Sequence, residues 1–189
     1  VDVEISQLVE AELKSNGVTI KLNEKVVGFE GTYGVECVMT GASSYKTDLV
    51  VLAIGVRPSV ELARQMGIRL GTTGAIKVDE TMKTNIKRFF AAGDNVEATH
   101  LVTGLPTYMP SAQNANKMGY VAGANAGGSR EIFRGVMGSA ITKVFDLEIG
   151  RTGLSEAEAK AAGMRTRGVM IRSGTRAGYY PGSGDIWIK

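Results

Sequence analysis

The sequence predicts an α/β fold built on a covered parallel sheet, followed by an incomplete α+β unit. Three observations carry this expectation. Two short apolar runs, residues 49–54 and 89–92, lack the alternation of a half-exposed strand, which is the pattern of strands covered on both faces. Each run stops at a glycine, Gly55 and Gly93. A helix rich in small residues follows the second run, and beyond Gly128 the composition shifts to short segments that read as strands of a new unit.

The elements follow in order. Asp2 precedes apolar residues at helical spacing, Ile5, Leu8, Val9 and Leu13, and Gly17 is a suitable stop. Val18–Leu22 and Val26–Glu30 read as strands, with a turn at Gly31–Gly34. Val35–Met39 and Ser44–Thr47 read as the arms of a small meander around Gly41. After the 49–54 run, Gly55-Val56-Arg57-Pro58-Ser59 forms a loop. A short helix then turns Leu62 and Met66 inward and ends at Gly67. Ile76–Val78 is a short strand in an otherwise irregular stretch. Pro110 suits the first turn of the long helix, which carries Ala112, Ala115, Gly119, Ala122, Gly123 and Ala126. Small residues let such a helix sit close to a sheet or a ligand. In the last unit, residues 139–145 and 147–151 read as strands, and Ser155 with Glu158 forms a capping-box pattern. Residues 169–172 and 186–188 read as further strands. The chain starts without Met and stops within the last strand, as a piece of a longer polypeptide would.

Composition narrows the function classes. A net charge of +3, spread along the chain without a dense basic and aromatic patch, argues against nucleic-acid binding. No apolar run reaches about 18 residues, so no transmembrane helix is expected. One His and one Cys cannot assemble a usual zinc site. The lone Cys37 suits a reducing, cytoplasmic setting and has no basic neighbour to activate it. His100, alone in a loop, reads first as a structural residue.

The chemistry lies in the stretch Thr84-Asn85-Ile86-Lys87-Arg88-Phe89-Phe90-Ala91-Ala92-Gly93-Asp94. Gly93 lets the backbone turn sharply, and Asp94 then stands at the carboxyl edge of a strand, where α/β folds bind nucleotides. A carboxylate there accepts hydrogen bonds from sugar or ribityl hydroxyls. Downstream, Pro110-Ser111-Ala112-Gln113-Asn114-Ala115-Asn116 opens a helix, whose first N–H groups and partial positive charge suit an electron-rich ligand edge.

These segments, with Asp48–Ser59, Phe133–Gly153 and Tyr179-Tyr180-Pro181-Gly182, resemble the FAD-dependent pyridine-nucleotide–disulfide oxidoreductases of the NADH oxidase and coenzyme A-disulfide reductase type, in their C-terminal portion. The resemblance implies a partial Rossmann-like FAD/NAD(P)-binding fold followed by the start of a dimerisation domain. It divides the chain into the rear of an NAD(P)-binding domain (1–57), the rear of an FAD-binding domain (58–128) and that dimerisation domain (129–189). It implies FAD and NAD(P)H as cofactors and a homodimer. The electron acceptor it implies is a disulfide such as coenzyme A disulfide, or oxygen. Gly93 and Asp94 would meet the flavin's ribityl chain, Ala112 its pyrimidine edge, and Gly55 the dinucleotide. Asn116 takes the place of a substrate contact. Either Tyr179 or Tyr180 takes that of a tyrosine reaching the partner's active site.

The chain departs from a whole enzyme of this kind. It has no G-x-G-x-x-G turn for a pyrophosphate, and Cys37 does not sit in the redox-cysteine motif. The expectation is therefore an enzyme portion that, alone, exposes strand edges and holds FAD weakly or not at all. A non-enzymatic assembly module and a ferredoxin-reductase-type flavin reductase are the alternatives.

Overall fold

A computed structural model describes all 189 residues. Helix α1 spans Val3–Ser15, and none of its residues is buried. Its end follows from Gly17: the Gly17 and Val18 N–H groups donate back to the carbonyls of Lys14 and Leu13, closing the last turn. Val18 is spent on that closure, and residues 18–22 form no strand. Asp2 precedes the helix as predicted, but its carboxylate makes no cap bond. It accepts instead from the Glu156 N–H at 2.7 Å, far along the chain.

The meander forms as predicted. β1 (Val26–Glu30), β2 (Cys37–Thr40) and β3 (Ser44–Lys46) make an antiparallel sheet with Phe29 opposite Val38 and Val38 opposite Tyr45. The Glu24 carboxylate braces it, accepting from the Tyr45 hydroxyl at 2.8 Å and the Thr40 hydroxyl at 3.0 Å.

The parallel sheet is the main correction. Residues 49–54 form no strand, and residues 48–58 make no backbone–backbone hydrogen bond. Val51 is 80% exposed and Ile54 88%. An apolar pattern states that a segment needs cover, but a strand also needs a neighbouring ladder, and these 189 residues supply none. Residues 89–92 are likewise no strand: Phe90 makes a single bridge to Lys83, and the Ala91 N–H donates to the Met82 carbonyl. All pairs of named strands are antiparallel, and parallel pairing is limited to the bridges Ile76–Val96 and His100–Val136.

The core lies between residues 60 and 136. Val60, Ala63, Ile76, Met82, Val96, Ala98, Met118, Val121 and Val136 form one buried cluster, with Phe90 and Phe133 packed against it. Helix α2 (Glu61–Gln65) turns Ala63 inward, while Leu62 is 70% exposed and Met66 also faces out, against expectation. The inward residue is the small one, so this short helix lies close to the core. β4 (Ala98–Thr99) and β5 (Pro106–Thr107) form a small hairpin. His100 opens its loop and is buried: Nδ1 accepts from the Val102 N–H at 3.2 Å, and Nε2 has no partner. Helix α3 (Ala112–Ala126) begins after Pro110 rather than on it, with Ser111 as its cap. Its buried side carries Met118, Val121 and Asn125. Asn125 bonds to the carbonyls of Thr81 and Glu131 and holds the chain beyond Gly128 against this core.

Past the core, β6 (Ala140–Val144) and β7 (Leu147–Arg151) form a tight hairpin, followed by α4 (Glu156–Ala161). β8 (Ile171–Gly174) pairs with β9 (Asp185–Ile188). Lys189 donates to the carboxylates of Glu4 and Glu156, joining α1 to α4. No helix is long and apolar enough to cross a membrane.

The capping box forms in full at α4, and the Glu158 carboxylate also meets the Arg151 guanidinium at 2.6 Å. Arg151 first, then the Ser155 N–H, hold the Glu158 pKa well down, from 4.5 to about 2. A carboxyl with a depressed folded pKa contributes stability that is complete above its unfolded value and is lost as pH falls towards its folded one. The expected result is a melting midpoint that drops a few degrees between pH 4.5 and about 2. Glu158→Gln lowers the midpoint at pH 7 by a similar amount and removes that part of the acid dependence; calorimetry across pH reads both. The effect stays small because the side chain is 43% exposed and water screens the pair.

Candidate cofactor site

The turn at residues 93–96 is closed by the Val96 N–H donating to the Gly93 carbonyl at 3.0 Å. Gly93 has φ +92°, and a Cβ there would lie 3.7 Å from the Ala115 Cβ. The left-handed backbone, more than lack of space, therefore calls for glycine. The next two side chains reach in different directions. Asp94 Oδ1 accepts from the Ser111 N–H at 2.9 Å, which seats the carboxylate at the start of α3. Asn95 Oδ1 accepts from the Ser59 N–H at 3.1 Å, which ties the turn to the loop after residues 49–54.

The start of α3 is locked locally. Ser111 Oγ accepts from the Asn114 N–H at 3.2 Å, and Asn114 Nδ2 donates to the Met109 carbonyl at 3.0 Å. The Ala112 and Gln113 N–H groups have no backbone or side-chain acceptor in the protein. Asp94 is exposed, and its Oδ2 takes no hydrogen bond from the chain. The Tyr108 hydroxyl is held above its ordinary pKa, by burial first and by the Asp94 charge second.

The structure thus brings Gly93, Asp94 and Ala112 together, and Asn116 lies exposed one turn along α3 from Ala112. Gly55, at φ +88° and in open space, stands in the loop that Asn95 anchors. Tyr179 and Tyr180 lie apart from these residues in sequence and in hydrogen bonding. They are exposed in the β8–β9 turn, their rings 5.1 Å apart, and neither hydrogen-bonds to the Asp94 turn or to α3. A cavity of about 580 Å³ opens between α1, β7 and β9 and is lined by Asp2, Ile5, Arg151 and Trp187; none of the predicted site residues lines it. Asn95 and Ser111 escaped the sequence reading as site-building residues. Ser111 had a readable signal, a capping residue just before a helical pattern. Asn95 had none, since its partner lies 36 residues away.

The sequence profile of the pyridine nucleotide-disulphide oxidoreductases matches residues 1–119, more than half of the chain. The chain belongs to this family. The match rests on the N-terminal part of the chain and stops inside α3, short of the segments expected to start a dimerisation domain. Among whole sequences, the chain is 46% identical to the NAD(P)H sulfur oxidoreductase (CoA-dependent) of Pyrococcus abyssi, over all of this chain and 42% of that protein. Among solved structures, it matches a NAD-dependent persulfide reductase from A. fulgidus with a TM-score of 0.94 and 39% identity, over 99% of this chain and 35% of that one. An FAD-dependent pyridine nucleotide-disulphide oxidoreductase from Desulfovibrio vulgaris matches with a TM-score of 0.82 and 35% identity, over 93% of this chain and 43% of that one. The chain spans less than half the length of these relatives.

Proposed function

We propose that this chain is part of a flavoprotein oxidoreductase that passes electrons from NAD(P)H through FAD to a disulfide, coenzyme A disulfide foremost, or to oxygen. One observation carries the reading: Asp94, turned out at Gly93 and fixed by Ser111, keeps a free carboxylate oxygen beside the start of α3. An acceptor oxygen next to unpaired N–H groups fits a ligand with hydroxyl donors at one part and an electron-rich edge at another. A flavin dinucleotide is such a ligand. Relatives named for sulfur, persulfide and coenzyme A-dependent reactions support the choice of acceptor.

FAD, when bound, supplies reversible uptake of two electrons. The chain's own residues bind and orient. Asp94 accepts hydrogen bonds from the ribityl hydroxyls. The N–H groups of Ala112 and Gln113 and the partial positive end of α3 would hold the electron-rich pyrimidine edge of the flavin. Gly55 lets main chain approach the dinucleotide, and Asn116 faces the substrate. Tyr179 or Tyr180 reaches the active site of the other protomer of a cytoplasmic homodimer. In this reading residues 1–57 belong to the NAD(P)-binding domain, 58–128 to the FAD-binding domain and 129–189 to the dimerisation domain. The exposed 49–56 segment is covered in the whole enzyme.

The pyrophosphate-binding turns are absent from this chain, so residues 1–189 alone are expected to purify colourless and to leave NADH unconsumed. Visible absorbance of the purified chain and an NADH oxidation assay with added FAD check this. A yellow preparation that oxidises NADH contradicts it.

A further inference from the structure

We propose that Asn95 is a positioning residue: it ties the Gly55–Ser59 loop to the Asp94 turn, so that the two dinucleotide-facing segments keep one spacing and move together. The inference deepens the flavin reading above and rests on it. Residues 48–58 make no backbone–backbone hydrogen bond, so they are anchored by nothing of that kind over eleven residues. The first anchor on their far side is the Ser59 N–H, held at 3.1 Å by Asn95 Oδ1, and buried Val60 enters the core directly after it.

Asn95 is itself fixed. Its carbonyl accepts from the Ile76 N–H at 2.7 Å, and the turn around it is closed by Val96 and Gly93. Ile76 belongs to the buried cluster, so the anchor leads straight into the core. Asp94, one residue earlier, holds the Ser111 N–H. Two consecutive side chains therefore fasten the loop at 59 and the helix at 111 to one rigid turn. A ligand that orders Asp94 thereby also orders Ser59 and, through it, the loop that carries Gly55. Only a residue with a short acceptor arm serves at position 95. Aspartate keeps the acceptor, and alanine removes it.

The test is amide hydrogen exchange by NMR on the 189-residue chain, as wild type, Asn95→Ala and Asn95→Asp. Without ligand, Asn95→Ala is expected to speed exchange of the Ser59 amide about tenfold, while the Ser111 amide is unchanged and Asn95→Asp restores protection. Equal Ser59 exchange in Asn95→Ala and wild type overturns the anchor, and so does a rise of the same size at Ser111 and across the core, which is general loosening. With millimolar FAD added, wild type and Asn95→Asp gain protection at both Ser111 and Ser59, and Asn95→Ala at Ser111 alone. FAD protection that reaches Ser59 equally in Asn95→Ala overturns the coupling. FAD that protects residues 171–188 while leaving Ser111 unprotected sinks the flavin reading instead, and the anchor is then decided by the ligand-free exchange.

Discussion

Val51→Lys combined with Ile54→Lys is expected to turn the isolated chain from a self-associating protein into a monomeric one, with its melting midpoint unchanged. These side chains are 80% and 88% exposed, and Leu49, Leu52 and Val56 around them are exposed as well. The segment is apolar, lies outside any helix or strand and has no backbone partners. Such an open edge pairs with whatever strand it meets, and lysine is the residue that natural sheet edges use to prevent this. Covering two such side chains stabilises an association by about 3 kcal/mol, so removing them lowers the association constant by more than about a hundredfold. Folding stability is untouched because neither side chain packs against the core cluster. Sedimentation velocity with calorimetry on both proteins checks the pair of claims. Unchanged sedimentation contradicts the open-edge reading, and a lowered midpoint shows that the segment packs inside the chain.

Gly135→Ala is expected to lower stability strongly. Gly135 has φ +126°, and a Cβ there would lie 2.3 Å from the Thr99 carbonyl oxygen. That oxygen also accepts from the Val136 N–H at 2.9 Å, in the bridge that seats buried Val136 beside His100. The obstacle is main chain, so it cannot swing aside as a side-chain tip would. Relief requires breaking the bridge or lifting Val136 from the core. Backbone strain of this kind with lost core packing costs about 3 kcal/mol or more. Chemical denaturation is expected to show it as a lower midpoint, with Gly119→Ala, whose glycine faces open space in α3, as the contrasting variant that is neutral or stabilising. Equal midpoints for Gly135→Ala and wild type contradict the packing described.

What could be read in the sequence follows the reach of each signal. Helix α1, the β1–β3 meander, the β6–β7 hairpin and the capping box at Ser155 rest on contacts between near neighbours, and their patterns are written locally. The 49–54 run shows the opposite case. Its apolar character was legible, but a strand is a relation between two segments, and its partner is not among these residues. The β4–β5 hairpin is two residues long on each side and contains Pro106, so no period-2 pattern marks it. Hydrophobicity alone points Leu62 inward, while the close approach of α2 favours Ala63. The Asp2 carboxylate went to α4 across 154 residues, which no local capping rule foresees. In the candidate site, the Gly93 turn and the start of α3 were legible from residue chemistry. Their joining by Asp94 and Ser111, and the Asn95 tie to Ser59, are tertiary and were not.

The central claim is that the carboxylate of Asp94 meets the hydroxyl-bearing chain of a flavin. An FAD titration of the 189-residue chain into the millimolar range, followed by backbone amide NMR in wild type and Asp94→Ala, tests it most directly. The account predicts weak binding, with shifts gathered at residues 55–59, 93–95 and 111–116. Loss of the charged acceptor should weaken that binding by about tenfold or more. Shifts centred on residues 171–188, or the same affinity in Asp94→Ala, would contradict it.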